Sequence, residues 1–341
     1  MARSRIGKCS ILLILMLALV PTVSAHTPLK PGEENTSLER ALEIPNPTKS
    51  WTLYRELHEA GETEYYKLQL EPGERLRISL YTPTTENPSF APSLVVMGPD
   101  IASEDILPEF VEVPDGFGFI IIETDRPDKP EYEPFTPTSY YYLVDFDMEI
   151  STSGTYYFAV YETAREGRYG VALGYKEEFT LLEWVKIPLD VISIHLWEGQ
   201  HLGLILAPML ATLVIGFGLL IWKYGLDLNA FNLVGATAGL LYLGSGFMIL
   251  MQMIISLMGA KYDSLVILTI IFTLLPILLG FALLRKVGRG RSALSIRDRV
   301  IFVLLGVLGL FSWSGLLLGP ALAIVASILP SGDSREPVGE G

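Results

Sequence analysis

Four histidines are the only imidazoles in this chain of 341 residues, and two of them could take part in metal chemistry. His26 directly follows Val23-Ser24-Ala25, the small-residue end of a leader. Cleavage after Ala25 would make His26 an N-terminus, whose amine and imidazole chelate copper, with His58 completing the brace. His195 and His201 are six apart, so they do not share the i, i+4 face that helical metal ligands use, and they read as interfacial side chains. A second constellation is the insert Glu123–Pro137, where Asp125, Asp128, Glu131 and Glu133 supply the oxygen ligands that Ca²⁺ takes. It lacks the glycine hinge and Asp/Asn alternation of a calcium loop, and Pro127, Pro130 and Pro134 describe an extended solvated arm. Asn35-Thr36-Ser37 is a glycosylation sequon in an outside segment. No GxSxG, HExxH, P-loop or GxGxxG occurs, so a non-enzymatic protein is expected, with no cofactor beyond such a copper or calcium ion.

Charge divides the chain. From His26 to Glu198 there are 13 Lys and Arg against 32 Asp and Glu, a net of −19; from Gly199 onward there are 9 against 6. An acidic surface of that size repels phosphates, which argues against nucleic acid as a partner. The single cysteine, Cys9, precedes the apolar core of the leader and has no lipobox spacing. The outer domain must therefore rest on its own core without disulfides, which a segment of ~170 residues can supply.

Arg3, Arg5 and Lys8, the apolar stretch Ile11–Val20 and the small residues before His26 make residues 1–25 a signal peptide. Its ten-residue apolar run is shorter than the ~20 residues a spanning helix needs. Four later runs are long enough: about 202–222, 233–258, 265–284 and 300–329. Arg285, Lys286, Arg289, Arg291, Arg297 and Arg299 crowd the loop between the third and fourth, so that loop is expected to be cytoplasmic and the acidic domain outside. Four crossings would then put the tail, 331–341, outside as well. No Asp, Glu, Lys or Arg lies inside the runs, which argues against ion-coupled transport and intramembrane proteolysis. Gly235-xxx-Gly239 and Gly315-xxx-Gly319 have the spacing that lets helices approach closely, read first as packing within the chain.

Between the leader and the helices, the pattern changes to a period of two. Tyr66, Leu68 and Leu70 alternate with Lys67 and Gln69; Leu76, Ile78 and Leu80 alternate with Arg75, Arg77 and Ser79. Such alternation describes strands with one buried face. Eight are expected, near 51–57, 63–70, 74–82, 92–98, 117–123, 139–147, 154–162 and 168–175. Gly61 to Leu80, with its acidic turn, Tyr65-Tyr66 pair and Pro72-Gly73 turn, resembles the first half of the pre-peptidase C-terminal domain family. Ser153–Tyr161 followed by Gly167–Leu173 resembles that family's closing strand pair. The resemblance covers about residues 40–175 and implies a jelly-roll-like sandwich with a binding or folding role and no catalytic residues. The long acidic insert and the fusion to membrane helices depart from that family.

The organisation expected is therefore a mobile lead-in (26–39), an all-β sandwich (40–176), an interfacial amphipathic linker (177–198) in which Pro188 opens a second short helix, and an all-α four-helix transmembrane bundle (199–330). Membrane lipid is one expected partner, and the sandwich is expected to bind a ligand or another envelope protein. Two other readings are an accessory subunit packing through the glycine faces and the copper protein built on His26.

Overall fold

The computed structural model describes residues 26–29, 35–103, 106–225, 229–287 and 295–330. The expected leader, the tail at 331–341 and residues 288–294 of the basic loop lie outside the described residues.

Eleven strands form two sheets: β1 (Thr27–Pro28), β2 (Leu42–Glu43), β3 (Trp51–Leu57), β4 (Thr63–Leu70), β5 (Arg75–Pro83), β6 (Ser93–Gly98), β7 (Gly118–Ile122), β8 (Glu131–Glu133), β9 (Thr138–Glu149), β10 (Gly154–Tyr161) and β11 (Gly167–Leu173). One sheet runs β1-β3-β11-β5-β9-β8 and the other β2-β4-β10-β6-β7. The inward side chains of both, among them Leu53, Tyr66, Leu68, Ile78, Leu80, Val96, Phe158 and Val171, share one buried core. The alternating partners point outward, where Arg75 pairs with Asp147 across β5 and β9 at 2.8 Å. The other face of the β2-β4-β10-β6-β7 sheet is covered too: Tyr65, Val95, Met97 and Tyr161 pack beneath Val111 and its neighbours. The eight expected strands are present within a residue or two; the three missed are only two or three residues long, too short to show a period.

A bulge in β9 decides what faces the helices. Leu80 pairs with Val144 but Tyr81 pairs with Tyr142, so Leu143 is the extra residue. Val144 and Phe146 belong to the core. Unbroken alternation would send Tyr142 and Tyr140 inward after them. The inserted residue reverses the phase, and both tyrosines come out on the opposite face beside Tyr81, at ring separations of 5.5 and 4.6 Å.

Six helices follow among the described residues: α1 (Leu181–Trp197), α2 (Leu202–Tyr224), α3 (Ala230–Leu257), α4 (Val266–Val287), α5 (Ile296–Phe311) and α6 (Leu318–Ile328). Only α2, α3 and α4 are long and apolar enough to cross a membrane. A capping box of Thr180 and Glu183 opens α1. Pro188 does not open a second helix; it lies inside α1. Its missing N–H leaves the Trp184 carbonyl free, and the Trp313 indole donates to that oxygen at 3.0 Å.

The expected fourth span is also corrected. Residues 300–329 form no single helix but two short ones, of 16 and 11 residues. At 1.5 Å per residue they measure about 24 and 16 Å, short of a ~30 Å hydrocarbon core. They run antiparallel: a Cβ on Gly306 would meet Ile324 at 2.6 Å, and the Arg299 guanidinium donates to the carbonyls of Ser327 and Leu329 at the end of α6. The turn is made by residues 312–317, where Trp313, Gly315 and Leu316 all take positive φ. Gly315 is thus outside any helix, so Gly315-xxx-Gly319 is no helix-packing stripe; both glycines make room for the Tyr242 ring, at 2.8 Å each. Gly235 faces Val287 and Phe302, and Gly239 faces Leu284 and the Gly280 carbonyl, so that pair packs α3 onto α4 and α5.

Because the hairpin returns, the end of α6 lies on the same side of the helices as the start of α5, opposite the sheets. The last described residues thus lie away from the sandwich, whereas a fourth full crossing would end beside it. With Cys9 the only native cysteine, single cysteines at positions 59, 229 and 330 would test it in sealed vesicles carrying a Cys9→Ser background. Positions 229 and 330 are expected to react from one side with an impermeant maleimide and position 59 from the other; labelling of 330 together with 59 would contradict the hairpin.

Candidate functional site

The insert is not a solvated arm. The Tyr132 hydroxyl donates to Thr269 Oγ1 at 2.8 Å, Thr269 donates on to the Pro134 carbonyl, and Ser256 donates to the Pro137 carbonyl. The Lys261 N–H reaches the Pro130 carbonyl at 2.9 Å. Three proline carbonyls are thus the acceptors, and the outer ends of α3 and α4 with the loop between them supply two hydroxyls and one amide to them. On the other flank, Lys49 pairs with Glu183 at 2.8 Å, and the Trp197 indole donates to the Arg55 carbonyl. Sheet and helices are thus joined at both margins.

Between these margins lies a cavity of about 500 Å³. Its floor is the outward face of the β1-β3-β11-β5-β9-β8 sheet, with Tyr54, Tyr81, Tyr140, Tyr142 and Ala172. Its roof is α1, with Trp184, Ile187 and Val191, together with Met248, Ile249 and Phe272 of α3 and α4 and Trp313 of the hairpin turn. Trp184 and Trp313 lie 4.4 Å apart between ring centres, closing one end. Burial holds the phenols of Tyr54, Tyr81, Tyr140 and Tyr142 above their usual pKa, so all four are neutral hydroxyls.

A polar chain crosses the α1 end. His195 Nδ1 lies 2.9 Å from Glu198, Glu198 accepts from Thr138, and Gln200 and Gln252 exchange two hydrogen bonds at 2.8 and 3.0 Å. His195 is buried rather than interfacial, because this chain satisfies its ring. The helix hydroxyls at the cavity are engaged as well: Ser245 donates to the Tyr242 carbonyl and Ser312 to that of Leu308.

The expected metal ligands do not converge. His26 lies on the cavity wall with Nδ1 2.5 Å from Ser50 Oγ; burial, then the Arg77 charge, lowers it to about 4 and keeps it neutral. His58 is exposed past the far end of β3, about 26 Å from Ser50 along the strand at ~3.3 Å per residue. Asp125 and Asp128 are exposed, Glu131 pairs with Lys261 at 3.3 Å, and Glu133 turns to the cavity. Among the described residues no three His, Cys, Asp or Glu side chains are grouped to hold a metal. Asn35 is likewise not a free acceptor in a mobile lead-in: it is fully buried, donating to the Tyr65 carbonyl at 2.9 Å and accepting from Arg55.

Of the predicted ligands, His26 and Glu133 reach the cavity wall, and Glu133 is the acidic one. Burial pushes its carboxyl up to about 7, opposed only by the Phe135 N–H at 3.1 Å. The tyrosine floor escapes sequence reasoning because the β9 bulge reverses the periodicity there. The signal available is the density of Tyr140-Tyr141-Tyr142 in a strand too polar on its expected outer face. A comparison with known protein families found none that matches, and no curated protein matches the chain.

Proposed function

We propose that this chain is a non-enzymatic membrane protein whose sandwich and helices together bind an amphipathic small molecule at their junction. The observation that carries the reading is the partly open, mainly aromatic and aliphatic cavity with a few placed polar groups, the usual make-up of a small-molecule site. The engaged hydroxyls of Ser245, Ser312 and Thr269 support binding rather than nucleophilic chemistry. The reading moves the ligand from the free surface of the sandwich to its membrane-facing sheet. Gly235 and Gly239 pack against α4 and α5 within the chain, which supports placing the function at the cavity rather than on that face. We adopt the orientation with the sandwich outside, since Arg285, Lys286, Arg297 and Arg299 lie on the opposite face of the helices.

Saturable binding of a radiolabelled dodecyl alcohol to the full chain in nanodiscs, above the partition into empty discs, tests this. About one site per chain is expected, lost in Ile249→Trp, which fills the cavity. No saturable binding, or binding untouched by Ile249→Trp, overturns the proposal.

A further inference from the structure

We infer that the molecule taken by this cavity is an amphipathic amine, its cationic head between Glu133 and the tyrosine floor and its chain among α1, α3 and α4. The inference deepens the cavity reading and rests on it. Three carboxylates line the space, those of Glu133, Glu177 and Asp190, and no lysine or arginine does. The charged side chains on the wall therefore favour a cationic head over an anionic one. Glu133 has no cation beside it; its carboxylate accepts a single hydrogen bond, from the Phe135 N–H. A buried carboxylate needs a proton or a positive partner, and none of the described residues supplies the latter.

A second observation is independent of charge. The buried hydroxyl of Thr136 on the cavity wall makes no hydrogen bond to a described group. The hydroxyl of Tyr140, 2% exposed on the same wall, has no described partner in hydrogen-bond geometry, Thr138 being the side chain nearest to serving as one. Unmet polar atoms facing an apolar space mark where a ligand's polar group is to be received. The electron-rich faces of Tyr54, Tyr81, Tyr140 and Tyr142 suit an ammonium in the same place, since a cation is attracted within about 6 Å of a ring centre. Apolar walls further in, from Ile187, Val191, Met248 and Ile249, accept the chain.

The test compares dodecylamine, dodecanol and dodecanoate on the full chain in nanodiscs of uncharged net lipid at pH 8. The amine is expected to bind at least tenfold more tightly than the alcohol, and the carboxylate least. Glu133→Gln is expected to bring amine binding down to the level of the alcohol while leaving the alcohol unchanged, which also shows that the variant is folded. The wild-type chain gives a second arm: the preference for the amine is expected to shrink tenfold or more between pH 8 and pH 5, as Glu133 takes up a proton. The other ionisable groups on the wall are His26, the four tyrosines, Glu177, Asp190 and His195, and Glu133→Gln separates their titration from its own. Equal binding of amine and alcohol overturns the inference and leaves the cavity reading standing; no saturable binding of any of the three overturns both.

Discussion

Glu133→Gln is expected to stabilise the ligand-free protein at pH 8 and to leave it nearly unchanged at pH 5. The Glu133 carboxyl titrates at about 7 when folded and at about 4.5 when exposed, because burial disfavours its charge. A raised acid pKa means that the folded state holds the proton more tightly than the unfolded one. Its stabilising contribution is complete below the unfolded value and is lost as pH rises through 7. At pH 8 the wild type thus keeps an uncompensated charge that costs on the order of 2–3 kcal/mol, and the amide does not. His26 works in the opposite sense. Lowered to about 4 by burial, it contributes above its unfolded value of 6.5 and loses that contribution as pH falls through 4. The difference between wild type and Glu133→Gln cancels His26, so thermal melts of both at pH 5 and pH 8 isolate the carboxylate. Equal melting temperatures at pH 8 would show that Glu133 is not buried in this way. An acid that weakens the empty protein and not the amine-bound one is what an amine site requires, since the ligand removes the cost.

Tyr242→Ala is expected to cost about 3–5 kcal/mol, the range for losing a large buried aromatic. Tyr242 is fully buried in α3, and its hydroxyl donates to the Leu305 carbonyl of α5 at 3.0 Å. Gly309, Gly315 and Gly319 all press on it: a Cβ on Gly309 would overlap the hydroxyl, and a Cβ on either of the others would come within 2.8 Å of the ring. The ring is the body about which α5 turns back into α6. Tyr242→Phe keeps that body and is expected to cost only about 1 kcal/mol for the hydrogen bond. The coupling is the sharper readout. Gly309→Ala should destabilise the wild type by about 1–3 kcal/mol through overpacking and be nearly neutral beside Tyr242→Ala. Additive costs in the double mutant would mean that the two do not touch.

The folding of the hairpin shows why hydropathy misreads such a segment. Residues 300–329 carry no charge, and Ser312-Trp313-Ser314-Gly315 and Gly319-Pro320 are the main interruptions of their apolar run. What makes the turn is distant in sequence: the Ser245 hydroxyl takes the Gly315 N–H at 2.7 Å, and the Trp184 carbonyl freed by Pro188 takes the Trp313 indole. These contacts hold Trp313 and Leu316 in a left-handed conformation that β-carbons disfavour. The clue in the sequence is the density of small residues between Gly306 and Gly319, which reads equally as the stripe of a straight helix.

Local physics therefore determined much of the architecture. Alternation in Tyr66–Leu70, Leu76–Leu80 and Tyr156–Val160 placed the strands, because each strand's buried face must be apolar and its period is two. Run length and the absence of charge placed α2, α3 and α4, because an apolar helix of that length suits the hydrocarbon core. Neither rule carries information about pairs far apart in the chain. Only tertiary structure decided that the Pro-rich insert docks on α3 and α4, since its carbonyls become acceptors only when the helix hydroxyls arrive. It likewise decided that the β9 bulge turns Tyr140 and Tyr142 outward, that the last apolar run doubles back on Tyr242, and that Glu133 turns to the cavity while Asp125 and Asp128 stay exposed. Each of these depends on where a neighbour from another element stands, and periodicity along one strand or helix does not encode that.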